Sequence, residues 1–408
     1  MTRKTTVIII GIVAVIIVSF LSWYFFFSKP TTPAIPTTGT GSPFGQGGEN
    51  IPIGANTSTG QNTPTGLDAQ GKPIAKLFRV SEQPVAGMVA FNKKSGETVV
   101  RYVDRATGHI YDVSPITLEK TKITNTTFPK IQEAYFKNDG SSVLLRDLKG
   151  DSDTVENISL SLTAPKATTT DSLYTIKATN LIGDIKDVSV GPTNLLVYVL
   201  GNSGSIVSSA FDGSKGTNLL SSGFTDWRMS WPNTNIVSLV TKASSAVSGF
   251  AYNLNPTTGR LTKIIGPLNA LTFSESSDGK RVVYSYVSNG KTVFEFKNLS
   301  DGLSDQILPT TFADKCIWSK KSAGVLYCGT PSTTIGPGEP DNWYQGITHF
   351  SDQIWRFSII TYTSEILFEP KKDSGTDIDL INPSLSPNED YLFFMNKNDL
   401  TLWALKLN

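Results

Sequence analysis

Only two histidines, His109 and His349, are available anywhere in the 408 residues to act as an imidazole base. His109 lies in Ala-Thr-Gly-His-Ile-Tyr, a glycine turn entering a strand, where a solvated turn histidine is the plain expectation. His349, in Gly-Ile-Thr-His-Phe-Ser-Asp, lies near a long loop and several aromatic residues and is a binding candidate. A Ser-His-Asp or Cys-His nucleophile needs a positioned histidine, and no Gly-x-Ser-x-Gly elbow, phosphate loop or dinucleotide fingerprint accompanies either one. Two histidines and two cysteines make no zinc-type spacing, so neither a metal nor a cofactor is expected. A carboxylate pair able to cleave a glycosidic bond stays open among the 35 acidic residues.

The two cysteines point to a covalent link. Cys316 and Cys328 flank a turn at Ser319 to Gly324, and counting outward from that turn pairs Ile317 with Tyr327 and hence Cys316 with Cys328. Facing cysteines on adjacent strands bond in an oxidising compartment and remain free thiols in a reducing one. A register slip of one residue would turn the side chains to opposite faces.

The richest loop follows them. From Thr330 to Ser351 the chain reads Thr-Pro-Ser-Thr-Thr-Ile-Gly-Pro-Gly-Glu-Pro-Asp-Asn-Trp-Tyr-Gln-Gly-Ile-Thr-His-Phe-Ser. It places Trp343, Tyr344 and His349 as stacking surface beside the carboxylates of Glu339, Asp341 and Asp352. Long loops in compact domains tend to be functional, and Trp and Tyr are common interface anchors. The same two aromatics could instead fold back and pin the loop. The spacing gives no Asp/Asn/Gly ligand loop of the calcium-binding kind.

The elements that must hold these residues repeat. An inner strand and turn recur at Val85 to Lys94, Ala134 to Gly140, Ile185 to Asn194, Arg228 to Asn235, Leu271 to Gly279, Cys316 to Gly324 and Ser384 to Asp390. The interval is mostly about 41 to 53 residues, which suits four-stranded propeller blades. Helical periodicity is nearly absent. The fold expected is all-β, a seven-bladed propeller over 74–408, with six or eight blades open because the third and fourth units are degenerate. After the last turn there is room for strands at Tyr391 to Met395 and Leu400 to Leu405 only, so Ala75 to Val80 is expected to complete the last blade and close the ring. Trp227 and Trp231 are expected between blades.

Asn-Asp-Gly at 138 to 140, Ser-Ser-Asp-Gly-Lys-Arg-Val-Val-Tyr at 276 to 284 and Ser-Pro-Asn-Glu-Asp-Tyr-Leu at 386 to 392 resemble the Ser-Pro-Asp-Gly-Lys repeats of TolB-type and other WD40-like bacterial propellers. The resemblance covers most of 75 to 408 as architecture. It implies binding, often of a protein or peptide, at one face of the disc. The Gly-His and Trp-Asp signatures of eukaryotic WD40 blades are missing.

Ahead of the propeller, residues 7–27 carry no charge and no proline, about 21 residues, enough as a helix to cross roughly 30 Å of hydrocarbon. Arg3 and Lys4 precede this run, which puts residues 1–6 in the cytoplasm and the rest outside. The run ends in Ser-Trp-Tyr-Phe-Phe-Phe with no small-x-small cleavage signature, so it reads as an uncleaved signal anchor. Residues 28–73 form a Pro/Thr/Gly/Ser-rich linker with a reach on the order of 35–40 Å. Anchor, linker and propeller together resemble membrane-anchored bacterial envelope proteins. A net charge of +1 gives no basis for nucleic-acid binding. The function expected is non-catalytic binding or scaffolding in the cell envelope, with a protein or peptide partner. Glycan or wall-polymer recognition through Trp343 and Tyr344 is the alternative, and a carboxylate-dependent hydrolase the third.

Overall fold

The computed structural model describes residues 74–407 except 149, 151–153, 167–172 and 182. The anchor and linker expected over 1–73 lie outside the described residues. Among the described residues no helix is long and apolar enough to cross a membrane.

The described residues form seven four-stranded antiparallel sheets. Their innermost strands are Val85–Asn92, Glu133–Phe136, Ile185–Val190, Trp227–Asn233, Thr272–Glu275, Cys316–Trp318 and Leu380–Leu385, and the blades are numbered one to seven in that order. This fixes the count at seven. Blade seven takes its outer strand from Leu77–Arg79, which pairs antiparallel with Leu402–Lys406 in the register Leu77↔Leu405, Phe78↔Ala404 and Arg79↔Trp403. The ring is therefore closed by strands from both ends of the domain, leaving no unpaired gap between blades seven and one.

Alternation along the strands builds the core. In blade two, Val143 and Leu145 are buried in one inter-blade layer with Ala134, Phe136 and Leu160, while Leu144 joins the next layer with Ile185, Val188 and Leu196. Every blade faces two neighbours, so its second strand is buried on both faces: in Ser142–Leu148 the first five residues are buried, three of them apolar. Trp227 is 8% exposed between blades three and four, and Trp231 packs against the same cluster.

The repeated Asp-Gly turns have a local cause. Asp139 Oδ1 accepts the backbone N–H of Ser141 at 2.9 Å and its hydroxyl at 2.7 Å, and Gly140 takes φ +69° under the Phe91 ring. Near the axis the backbones almost touch. A Cβ on Gly87 of blade one would lie 2.0 Å from the Ala134 carbonyl oxygen of blade two, so only glycine fits.

Candidate functional site

An antiparallel meander puts the turns between first and second strands at one end of the disc. The loops joining second to third strands, and the crossings between blades, lie at the other end. The long loop of blade six joins its second strand, Val325–Pro331, to its third, Asp352–Ser358, and so belongs to the second end. There it folds inward as a plug. A four-residue helix, Asp341–Tyr344, is held by Glu339, whose carboxylate accepts the Trp343 N–H at 2.9 Å. Asp341 Oδ2 accepts the Ser245 N–H of blade four at 2.6 Å, which ties the loop across blade five.

Beneath the plug lies a buried charge cluster. Lys315 is 0% exposed, and its ammonium donates to Asp352 Oδ2 at 2.6 Å and to Asp379 Oδ1. Asp379 also accepts the Trp343 indole N–H at 3.0 Å and the Phe350 backbone N–H at 3.0 Å. Asp352 Oδ2 takes the Leu380 N–H at 2.7 Å, whereas its Oδ1 is buried without a hydrogen bond. One lysine faces two carboxylates here. Burial, opposed by Lys315 and reinforced by Asp379, pushes the Asp352 carboxyl up to about 6. The ring of Trp343 is covered by Phe312 at 5.5 Å, Lys315 at 4.9 Å and Lys397 at 5.7 Å.

This corrects the sequence-based picture of the loop. Trp343, at 3% exposure, presents no stacking face to solvent, because Asp379, Phe312 and Phe350 draw it inward. Asp352 and Glu339 are buried bracing groups rather than rim carboxylates. Asp341 is half-buried against blade four. Only His349 remains exposed, with Nδ1 4.0 Å from Asp379 Oδ2. The Cys316–Cys328 pair is disulfide-bonded in the register counted from the turn, with Ile317 opposite Tyr327. His109 is a turn residue whose Nε2 meets the Thr127 hydroxyl at 3.2 Å.

The inner strands enclose a central channel with a cavity of about 740 Å³. At its plugged end it is lined by Glu133, Asp187, Arg228, Asp314, Tyr344 and Lys397. All but Tyr344 were missed by sequence reasoning. The available signal was a charge on an innermost strand, as in Trp227-Arg-Met-Ser-Trp231, where a channel-facing position alternates with inter-blade packing. Asp187 follows a break in register between Ile185 and Asp187, a bulge of the kind that re-aims a side chain.

The electrostatics of this end are mixed. Arg228 lies over the Tyr344 ring at 5.2 Å, and among the described residues its guanidinium makes no hydrogen bond or ion pair. Its side chain is exposed to channel water; the surrounding protein works against its charge, yet Asp314, Tyr344 and Asp187 together hold its pKa above the ordinary arginine value. Asp187 accepts the Met229 N–H through Oδ2 at 2.6 Å. Its surface is within reach of water, but protein surrounds it, and this desolvation pushes its carboxyl up to about 6 against the pull of Arg228. The Tyr344 hydroxyl donates to Asp314 and is held well above its ordinary pKa by burial and then by that carboxylate. Lys397 is lowered by desolvation, with Asp379 opposing. Glu133 is drawn outward to Arg146. Among the described residues no group of His, Cys, Asp or Glu is arranged to hold a metal ion.

No protein-family model and no curated protein matches the chain. Solved structures resemble it in shape. An oligogalacturonate lyase in complex with manganese superposes with TM-score 0.52 at 10% identity, over 84% of this chain and 95% of that one. A catalytically inactive virginiamycin B lyase from Staphylococcus aureus, with quinupristin, gives 0.47 at 12% identity over 81% and 98% of the two chains. A TolB-type protein from Agrobacterium tumefaciens gives 0.35 at 11% over 56% and 86%. At such identity the first likeness is one of fold alone, and the other two are too loose to carry an argument.

Proposed function

We propose that this chain is a membrane-anchored envelope protein that displays its propeller outside the cytoplasmic membrane and binds a protein or peptide at the plugged end of the channel, without catalysis. The observation behind the binding surface is Arg228, a charged fork of donors facing the channel from a rigid strand with no acceptor among the described residues. An exposed guanidinium in that state offers its fork of donors to a ligand oxygen. The location rests on the uncharged run of 7–27 behind Arg3 and Lys4, and the Cys316–Cys328 bond supports an oxidising compartment. Protease added outside spheroplasts should remove the propeller and leave the anchor, whereas full protection would overturn the placement.

The glycan alternative loses its platform, because Trp343 is inside the plug. The hydrolase reading keeps one supporting observation, the Asp187 carboxyl pushed up to about 6 in the channel beside Glu133 and Asp314. A hydrolase would lose turnover of envelope polymer in Asp187→Asn by about 100-fold or more. A binder has no turnover to lose.

The decisive experiment is crosslinking and pull-down in cells with Ser230→Trp, a bulky group at an exposed, channel-lining position of blade four. The partner should be lost from the variant while its thermal stability is retained. A partner list identical to wild type would exclude the channel as the binding surface.

A further inference from the structure

The channel end offers hydrogen-bonding capacity of both signs that the protein itself leaves unfilled. Arg228 contributes exposed guanidinium N–H donors with no acceptor among the described residues, and Lys397 faces the same cavity with its ammonium over the Trp343 ring. On the acceptor side, Asp187 uses only Oδ2, toward Met229, and Asp314 only Oδ2, toward Tyr344. The second oxygen of each carboxylate accepts no hydrogen bond among the described residues.

A simple anion would answer Arg228 but meet Asp187 and Asp314, the two carboxylates that help to hold Arg228 charged. A simple cation would satisfy those carboxylates but would be repelled by the Arg228 guanidinium, whose fork it would leave to water. A neutral sugar supplies hydroxyls, but it would exchange hydrated charge for neutral contacts and has no exposed indole to stack on. Only a ligand carrying both charges satisfies both sides at once. The cavity of about 740 Å³ accommodates a small molecule of several residues or less.

We infer that the plugged end of the channel recognises the free ends of a short peptide, the carboxylate on Arg228 and the ammonium on Asp187. This deepens the binding reading and rests on it. Asp314 and Tyr344 then act as positioning residues: the Tyr344 hydroxyl fixes Asp314, and the Tyr344 ring supports the guanidinium plane.

The test is titration calorimetry on the full-length protein in detergent with L-alanyl-L-alanine, its N-acetyl form, its C-terminal amide and free L-alanine. The unblocked dipeptide should bind, and each blocked form should bind at least about tenfold more weakly. Arg228→Gln should lose affinity for the free dipeptide and show no further loss with the amide, and Arg228→Lys should recover part of it. Equal binding of free and blocked forms, or no dipeptide binding up to about 10 mM, would overturn the ligand class. Tighter binding of L-alanine than of the dipeptide would overturn the peptide assignment. If dipeptides fail while Ser230→Trp still loses its cellular partner, the ligand class alone is wrong. If Ser230→Trp keeps its partner and dipeptides also fail, the channel reading falls with it.

Discussion

Two aspartates in this molecule have the same displaced acidity and opposite surroundings. Asp187 and Asp352 are both pushed up to about 6 by burial. Asp352 sits at 2% exposure under the plug, locked to Lys315 and the Leu380 amide. Asp187 lines the channel, with one oxygen turned to a backbone amide and the other available. A perturbed carboxyl is thus not by itself a sign of function. Each has one oxygen without a hydrogen bond, but Asp352 has a buried lysine as counter-charge and no path to a ligand, whereas the free oxygen of Asp187 lies in the channel.

Breaking the closed cluster should give the largest effect. Lys315→Met strips the counter-charge from two buried carboxylates and should destabilise the propeller by about 3–5 kcal/mol in urea denaturation. A loss below about 1 kcal/mol would mean that the carboxylates reach water. Trp343→Phe keeps an aromatic ring but removes the indole donor to Asp379 and part of the buried ring volume, and should cost about 1–3 kcal/mol through the lost charge-assisted hydrogen bond and the space left behind. A wild-type midpoint for that variant would show that the plug is braced by packing alone.

The acidity of the two aspartates makes a third prediction with a definite sign. Their folded pKa values stand above the ordinary 3.8, so the folded chain holds protons that the unfolded chain releases. Their contribution to stability is full below about pH 4 and is lost as pH rises through about 6. Asp187→Asn should flatten part of that slope in melting temperatures measured across the window. The part removed should be salt-sensitive, because channel water screens it, and the Asp352 remainder should not. An unchanged slope in Asp187→Asn would place its proton elsewhere. The smallest effect belongs to Arg228→Gln, which should alter stability by no more than about 0.5 kcal/mol while weakening ligand binding. A large stability loss there would make Arg228 a structural residue.

The same contrast explains what could be read from the chain. The inner strands and the cysteine register were legible because each depends on neighbours a few residues away, alternation and a count outward from the turn at Ser319 to Gly324; the ring closure joins distant ends, Leu77 to Leu405, and was legible only from the strand count, one strand short at one end and one left over at the other. The loop of blade six was legible as a loop, but the direction of Trp343 was not. Its partner is Asp379, 36 residues further on and in the next blade. Arg228 was read only as the start of a strand, because its significance comes from Asp187 and Asp314 on blade three and at the entry to blade six, which no local pattern connects.

The closing strand also sets an order in time. Leu402 in blade seven donates its N–H to the Ser81 hydroxyl, 321 residues earlier in the chain. During synthesis the segment around Leu77–Arg79 emerges long before the strand that will receive it. Until then, six blades' worth of polypeptide exists as an open arc with two raw edges. Such an arc is a substrate for holding chaperones or for pairing with a second arc, so the yield of this protein should depend on how fast the rest of the chain arrives.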